Sequence, residues 1–297
     1  MVEERKLGNP PALERAPGDV SSMVAAFGVE RFGFGENWKS FLDEIDDIRV
    51  AEAEKSLQWL LGRDRIDGLS FLDIGSGSGL SSLSARRLGA AVRSFDYDPQ
   101  SVESTTILKH RFFPNDGDWL VERGSILDRN YFVGLGTFDV VYSWGVLHHT
   151  GAMHEALRHA ASRVSPGGLL VFALYRKTRL CRLWKLEKRW YCRAAAPAQS
   201  VARRLYMAVM RCAFAATGRD FRAFIATYRG RRGMSYVHDV HDWLGGYPYE
   251  SITPAEVAQE MARLGFEHVR SKVQPYSTGL LGSGCDEYVF RNSGSAT

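Results

Sequence analysis

A carboxylate followed by three closely spaced glycines is the most informative feature of this sequence. Asp73 lies two residues before Gly75, and Gly77 and Gly79 follow at intervals of two. Glycines in a turn between a strand and a helix let a ligand approach the backbone, whose N–H groups and helix dipole favour a nucleotide. A carboxylate at the end of the strand suits a cationic amine better than a pyrophosphate. The segment therefore predicts a site for a nucleotide cofactor that carries an ammonium group.

The spacing of these glycines differs from the dinucleotide-binding fingerprint G-x-G-x-x-G. The third glycine comes one residue early, and Leu80 stands in its place. The segment instead resembles the first motif of class I S-adenosylmethionine (SAM)-dependent methyltransferases, acid-x-G-x-G-x-G. The resemblance implies that SAM is the cofactor and S-adenosylhomocysteine the product. The motif residues that would contact the cofactor are Asp73, Gly75, Ser76, Gly77 and Gly79.

Later segments resemble further motifs of the same family, in the family's order. Asp96 and Tyr97 stand at the second acidic strand end; Asp96 lies 21 residues after the first glycine, a reach that suits the ribose hydroxyls. Gly124–Asp128 resembles the loop on the adenine side, although Ser125 stands where many members have an acid. Phe138–His149 resembles the fourth motif. The cofactor contacts that these motifs imply are Asp96, Tyr97, Ser125, Ile126, Ser143 and Trp144.

An aromatic segment near the amino end is a further candidate for the cofactor site. Phe34 and Trp38 flank the turn-forming sequence Gly-Glu-Asn. Comparable methyltransferases close over the cofactor with an amino-terminal helix, so the resemblance implies that Phe34 and Trp38 cover it here. Packing of both rings in the core is the alternative interpretation.

Histidines after the fourth predicted strand are candidates for a catalytic base. His148 and His149 lie there, and imidazole has a pKa suited to deprotonating an acceptor hydroxyl near neutral pH. The alternative is that Leu-His-His, which is widespread in relatives acting on very different acceptors, shapes the loop or contacts the cofactor. His241, in the segment His238–Glu250, is a third candidate base.

The segment His238–Glu250 combines imidazoles, carboxylates, aromatic rings and two adjacent glycines, so we expect it to contact the acceptor. Packing of its rings on the core is the alternative. A metal site is disfavoured because no clear third ligand accompanies His238 and His241. The predicted acceptor contacts are Tyr175, Arg176, His238, Asp242, Trp243, Tyr247 and Tyr249.

The elements that would position these residues alternate along the chain. Short apolar runs followed by helical segments are typical of βαβ units. A helix is predicted over 150–164, ended by Ser165-Pro-Gly-Gly, and Thr253 followed by proline predicts the start of another. The segments 266–273 and 286–290 are expected to form the last two strands, paired as a hairpin. The predicted fold is α/β: a Rossmann-like, seven-stranded, mainly parallel sheet with helices on both faces and a helical lid insertion.

Four regions follow from this order. They are an arm and helical cap over 1–62, the SAM-binding core over 63–175, a basic helical lid over 176–252, and the last helix and two strands over 253–297. The longest apolar run, Leu169–Tyr175, is too short for a membrane-spanning helix. The amino end has no apolar signal segment, and the four cysteines lack C-x-x-C spacing. We therefore expect a cytoplasmic protein.

The charge is concentrated in the predicted lid. Residues 176–233 hold 16 Lys and Arg against two acidic residues, a net charge of +14, whereas the whole chain carries +4. Within this region Val201, Leu205, Ala208, Cys212 and Ala215 form an apolar stripe on a basic helix. The region could close over an anionic small molecule, lie on a membrane with a lipid-linked acceptor, hold RNA, or simply dock on the acidic core.

The leading functional prediction is therefore SAM-dependent methylation of a small or lipid-linked metabolite, on oxygen or nitrogen. A tRNA methyltransferase ranks lower, because the sequence contains no known RNA-binding module. A SAM-binding regulatory protein without catalysis is the third alternative. The sequence does not choose finally among oxygen, nitrogen and carbon acceptors, and it leaves the oligomeric state open.

Overall fold

The computed structural model describes residues 32–35, 42, 45–232, 236–273 and 284–294. Within these ranges seven strands form one sheet. The strands are β1 (Ser70–Ile74), β2 (Ala91–Asp96), β3 (Trp119–Arg123), β4 (Phe138–Trp144), β5 (Val164–Tyr175), β6 (Phe266–Lys272) and β7 (Cys285–Asn292). The α-helices are α1 (Asp47–Leu61), α2 (Leu80–Arg87), α3 (Pro99–Phe112), α4 (Arg129–Val133), α5 (Met153–Ala161), α6 (Cys181–Arg193), α7 (Ala196–Ala216), α8 (Phe221–Arg232), α9 (Tyr236–Gly245) and α10 (Pro254–Arg263).

The sheet order is β3-β2-β1-β4-β5-β7-β6. Strands β1 to β5 pair in parallel, and β7 runs antiparallel to both β5 and β6, as the predicted hairpin requires. This arrangement confirms the predicted Rossmann-like α/β fold. The order reverses between β1 and β4, and ligands of open α/β sheets bind at the carboxyl ends of the strands at such a point. The carboxyl end of β1 is where Asp73 lies.

The central strand β1 is buried on both faces, and four of its five residues are buried. Phe71 packs with Leu57 of α1 and Leu83 of α2 on one side of the sheet. The next residue, Leu72, packs with α5 and α10 on the other side, among residues that include Leu157. Because neighbouring residues of a strand point to opposite faces, one short run holds both helical layers in place.

The helix predicted over 150–164 is shorter than expected. It runs from Met153 to Ala161, and β5 already begins at Val164. The Ser-Pro-Gly-Gly sequence lies inside β5, where the pairing with β4 shifts register between Phe138 and Val140. Gly167 has a φ of 78°, which permits this irregularity in a strand, so the glycines form a bulge after the helix rather than its end.

In the predicted helical cap over 1–62, helix α1 begins at Asp47. Asp46 precedes it and accepts a hydrogen bond from the backbone N–H of Arg49 at 2.9 Å, which caps the helix. Trp38 lies outside the described residues. At the other end Gly62, with a φ of 66°, ends the helix in the left-handed conformation.

The insertion after β5 forms four helices, α6 to α9, with a small core of their own. Tyr191, Tyr236, Val240 and Leu244 are buried in it, and partly buried rings such as Phe221 and Phe224 pack around them. The bounds of the four regions stay predictions. No helix within the described ranges is both long and apolar enough to cross a bilayer.

Candidate active site

The glycine segment forms a tight turn between β1 and α2. Gly75, Gly77 and Gly79 all have positive φ, at 77°, 55° and 83°. A Cβ atom on Gly75 would lie 2.5 Å from the side chain of Val146, so no larger residue fits there. No side chain caps the amino end of α2. Backbone N–H groups at that end are therefore suited to bind a ligand.

Asp73 is a buried carboxylate at the carboxyl end of β1, with 2% of its surface exposed. Its Oδ2 atom accepts a hydrogen bond from Ser82 at 2.5 Å, Ser82 bonds Ser94 at 2.6 Å, and the indole of Trp119 donates to Ser94 at 2.9 Å. Burial raises the pKa of Asp73 to about 7, partly offset by the Ser82 hydrogen bond. Among the described residues no lysine, arginine or histidine forms an ion pair with it. A cationic ligand group would therefore find an uncompensated buried carboxylate.

Asp96 lies on the neighbouring strand and supports the same turn. Its Oδ2 atom accepts a hydrogen bond from the backbone N–H of Gly77 at 3.0 Å, and its Oδ1 atom accepts one from Asp98 at 2.9 Å. Burial raises the pKa of Asp96 to about 6. Tyr97 follows it in the chain and is half-buried. The structure thus brings Asp73, Asp96 and the glycine turn together, as the sequence predicted.

Three serines among the other predicted cofactor residues form hydrogen bonds within the protein. The hydroxyl of Ser143 donates to the carbonyl of Ile74, and that of Ser76 lies 2.8 Å from the hydroxyl of Thr105. Ser125 accepts from the backbone of Leu127 and precedes the buried Ile126. These serine hydroxyls hold the loops in place, so their expected contacts with the cofactor stay predictions.

Trp144 points away from the glycine turn. Its indole N–H donates to Glu287 on β7 at 3.2 Å, on the side of β4 opposite to β1. The structure therefore does not bring this side chain together with Asp73. The motif places Trp144 at the right strand end, but the alternation along β4 sends its ring elsewhere.

The two adjacent histidines are buried, and His149 has a defined tautomer. Nδ1 of His149 lies 2.8 Å from the carbonyl oxygen of Pro248, which can only accept, so Nδ1 carries the proton and Nε2 has the lone pair. Burial lowers the pKa of His149 to about 4. His148 is fully buried, neither ring nitrogen has a hydrogen-bond partner among the described residues, and burial lowers its pKa strongly. Both rings are therefore neutral at physiological pH.

Aromatic rings from three parts of the chain gather beside the histidines. Tyr175 at the end of β5 has its ring centroid 4.0 Å from that of His148, 5.5 Å from Trp243 and 5.3 Å from Tyr249. Phe34 approaches His149 with a centroid distance of 5.0 Å. Four residues proposed from separate parts of the sequence thus meet around one imidazole pair.

Lys188 is a member of this cluster that the sequence did not single out. It is fully buried; its ammonium lies 3.6 Å from the ring centroid of Trp243 and donates to the carbonyl of the same residue. Burial lowers the pKa of Lys188, and the neighbouring Glu187 carboxyl partly offsets this. In the sequence it is one of many bases, but it shares a helix face with Cys181, Trp184 and Tyr191, and that periodicity was the available signal.

His241 lies away from this cluster. Nδ1 of His241 lies 2.7 Å from the hydroxyl of Tyr191 and 3.1 Å from Arg203, inside the core of the insertion. The ring of Phe32 packs on His241 and also on Phe34, so two phenyl rings lie between His241 and His149. The structure therefore does not place His241 beside His148 and His149.

Arg176 forms a two-pronged ion pair instead of an open contact. Its Nε and Nη2 atoms donate to the carboxylate of Asp286 at 2.7 and 2.8 Å, and Asp286 is fully buried. This ion pair engages Nε and Nη2 of Arg176, and contact of Arg176 with an acceptor stays a prediction. The partners lie 110 positions apart, which explains why the sequence did not show the pair.

The rest of the predicted acceptor segment is held by hydrogen bonds within the protein. The carbonyl of Asp242 accepts from Gly246, and the carbonyl of Tyr247 accepts from Phe32, both at 2.9 Å. The hydroxyl of Tyr249 lies 3.3 Å from the thiol of Cys181. His238 belongs to α9, but its side chain lies outside the described residues. Among the described residues there is no group of three metal-ligating side chains.

Comparison with known proteins gives this arrangement a family. Residues 46–271 match the family model described as a methyltransferase domain. The chain belongs to this methyltransferase family. Its match covers most of the sequence, including the glycine turn, the histidine pair and the helical insertion.

Two curated relatives are ubiquinone biosynthesis O-methyltransferases. That of Caulobacter sp. strain K31 is 33% identical over 117 residues, which cover 39% of this chain and 45% of the relative. That of Paramagnetospirillum magneticum is 31% identical over 150 residues, covering 49% and 57%. This chain thus spans about half the length of the curated relatives it matches.

Solved structures support the fold at low sequence identity. The magnesium protoporphyrin IX methyltransferase of Synechocystis PCC 6803, solved with SAM bound, superposes with a TM-score of 0.53 at 13% identity, covering 94% of this chain and all of that one. PKMT2 from Rickettsia typhi, solved with AdoHcy, gives a TM-score of 0.51 at 11% identity, covering 77% and 49%.

Proposed function

We propose that this protein is a SAM-dependent methyltransferase that acts on a small or lipid-linked metabolite, at oxygen or nitrogen. The observation that carries the proposal is Asp73, a buried carboxylate without a cationic partner in the described chain, directly before the glycine turn. The family membership and the ubiquinone O-methyltransferase relatives point the same way. The cytoplasmic location expected from the sequence forms part of this proposal.

The residues present fit SAM. Asp73 would hold the ammonium of its amino-acid portion, the turn at Gly75 leaves space beside the backbone, and Asp96 would bind the ribose hydroxyls. When bound, SAM supplies a methyl group on a sulfonium centre. The protein must then align the acceptor with that group and exclude water.

The aromatic cluster supplies the acceptor side. Tyr175 and Trp243 form walls next to the neutral histidines, and Phe34 covers His149. The free lone pair on Nε2 of His149 would take the proton from an acceptor hydroxyl as its oxygen gains the methyl group. The pKa of about 4 leaves this nitrogen unprotonated at neutral pH, but it also makes His149 a weaker base than an ordinary imidazole, so proton transfer depends on the position of the ring beside the acceptor.

Isothermal titration with SAM and S-adenosylhomocysteine tests the cofactor half of the proposal. The wild type should bind both, and Asp96→Ala should bind each about 10- to 150-fold more weakly, the range for a hydrogen bond to a charged group. Asp139→Asn is the matched control, because Asp139 is a carboxylate of the adjacent strand that bonds Ser70 at the opposite end of the sheet. No binding at millimolar ligand would remove the proposal.

Incubation with methyl-labelled SAM and fractionated bacterial extract tests the catalytic half. Label transferred to a lipid-soluble or small polar fraction, and lost with the binding variants, is the expected result. Cofactor binding without any labelled product in these fractions would instead support a SAM-binding regulatory protein.

A further inference from the structure

Exposed apolar side chains are concentrated on the helical insertion. Of the fifteen large hydrophobic residues that are exposed in the described part of the chain, eight lie between positions 183 and 237. They are Leu183, Leu186, Trp190, Val201, Leu205, Val209, Ile225 and Val237. Such concentration in one part of the chain, with six of the eight residues on α6 and α7, marks an interaction surface rather than the scattered exposure of single residues.

Helix α6 shows that this exposure has a direction. Cys181, Lys188 and Tyr191 are buried against the rest of the insertion. Leu183, at 60% exposed, and Leu186, at 66%, lie on the opposite side of the helix, as does Trp190. Helix α6 therefore packs against the insertion with one face and exposes a second, apolar face to solvent.

Helix α7 repeats the arrangement. Val201, Leu205 and Val209 follow at intervals of four and are exposed, whereas Phe214, on the far side, is the buried residue of the helix. The apolar stripe found in the sequence thus faces solvent. An amphipathic helix normally buries its apolar face, so this reversal calls for a partner.

Basic side chains border both apolar faces. On α6 Arg182, Lys185 and Arg189 are exposed and lie on one flank of the stripe, and on α7 Arg204 and Arg211 do the same. None of these five forms an ion pair with an acidic side chain in the described ranges. The surface therefore combines exposed aliphatic groups with uncompensated positive charge.

We propose that the outer faces of α6 and α7 dock this protein on a bilayer surface that contains anionic lipids. Aliphatic residues enter the acyl boundary while the flanking bases meet the lipid phosphates, which is how basic amphipathic helices bind membranes in the plane of the interface. The helices are not candidates for spanning the bilayer. Docking is a separate claim from methyl transfer, although it would bring a lipid-linked acceptor to the insertion.

Two other partners fit this surface less well. A surface that binds RNA needs aromatic side chains on which the nucleobases stack. The exposed apolar residues of α6 and α7 are instead mainly leucine and valine. A second copy of the chain would meet the same surface about a two-fold axis, so the flanking bases of both copies would repel one another.

Vesicle flotation with the full chain tests the proposal. The wild type should float with vesicles of equal parts phosphatidylcholine and phosphatidylglycerol, and much less with phosphatidylcholine alone. The triple variant Leu183→Gln, Leu186→Gln, Leu205→Gln should lose binding to the anionic vesicles. Replacing Arg182, Lys185 and Arg189 by Gln should weaken it about fivefold per base, the fold-change that corresponds to ~1 kcal/mol per residue near an anionic surface.

The matched control replaces exposed apolar residues elsewhere. The double variant Leu120→Gln, Val133→Gln changes side chains outside the insertion that are 48% and 56% exposed. It should float as the wild type does. Brominated lipids provide a depth readout: they should quench wild-type tryptophan fluorescence, and Trp190→Phe should float normally while losing most of that quenching.

Several results would overturn the proposal. The wild type could fail to float with anionic vesicles, or the leucine triple variant could float as well as the wild type. The wild type could instead form a concentration-dependent dimer that the leucine triple variant does not form, or bind tRNA as strongly as that variant does. SAM titration of the same preparations separates this question from the proposed function. A wild type that binds SAM normally but does not float with anionic vesicles would overturn the docking proposal alone. A wild type that floats but does not bind SAM would overturn only the methyltransferase proposal.

Discussion

Nδ1 of His149 lies 2.8 Å from the carbonyl oxygen of Pro248, and this contact joins the end of the sheet to the end of the helical insertion. The bond fixes both the ring orientation and the tautomer. Beside it the backbone N–H of Glu250 donates to the carbonyl of His148 at 3.0 Å. The insertion is thus tied to the two residues that face the candidate acceptor site.

The first prediction concerns the acid stability that His149 confers. Its pKa is about 4 in the folded protein and about 6.5 when unfolded, so the unfolded chain binds the extra proton between these values. The contribution of the neutral ring is complete above about pH 6.5 and is lost as the pH falls toward 4, by about 3 kcal/mol. Urea unfolding of the wild type and His149→Gln at several pH values should show their difference shrinking over this window. A pH-independent difference would contradict the buried neutral imidazole.

The second prediction concerns the cost of keeping Asp73 ionised. Its folded pKa of about 7 lies above the unfolded value of 3.8, so above pH 7 the buried charge destabilises the cofactor-free protein. Asp73→Asn should therefore raise the free energy of unfolding at about pH 8 by roughly 2–4 kcal/mol, and weaken SAM binding about 10- to 150-fold. Denaturant unfolding and titration measure the two effects. A variant that is less stable and binds SAM normally would show that Asp73 is only structural.

The third prediction is that SAM affinity depends on pH through the same carboxyl group. An ammonium binds the ionised form, so binding should tighten as the pH rises from about 5.5 to about 7.5 and should release a proton below pH 7. Above about pH 8 the ligand amine itself loses its proton and affinity should fall. Calorimetry in buffers of different ionisation enthalpy measures the proton release. In Asp73→Asn the affinity for SAM should no longer increase over this pH range through ionisation of residue 73. An increase as steep as that of the wild type would assign the effect to another group.

The fourth prediction separates a structural from a substrate role for Arg176. Because its partner Asp286 is fully buried, Arg176→Met should leave that carboxylate without the guanidinium charge and destabilise the protein by about 3–5 kcal/mol. The double variant Arg176→Met, Asp286→Leu should recover much of that loss. Thermal unfolding of the three proteins checks both statements. A stable single variant with impaired methyl transfer would restore Arg176 as an acceptor contact.

The cofactor half of the site could be predicted from the sequence because its determinants are local. Gly75, Gly77 and Gly79 take conformations that depend on the turn alone, and Asp73 ends a strand whose apolar run is visible in the sequence. Thr253 forms the capping box at the start of α10 for the same reason. The alternation of such elements was enough to predict a parallel sheet and its family.

The acceptor half was decided by contacts between distant residues. Arg176 pairs with Asp286, Lys188 is buried under Trp243, and the stripe at Leu205 faces outward. Each of these three features depends on which helix faces of the insertion pack against the rest of the protein. Helical periodicity in the sequence shows that a helix has an apolar face but not what that face contacts. Local backbone chemistry therefore determined the fold and the cofactor turn, whereas tertiary packing alone decided which charges are paired, which are buried, and which apolar face remains for a partner.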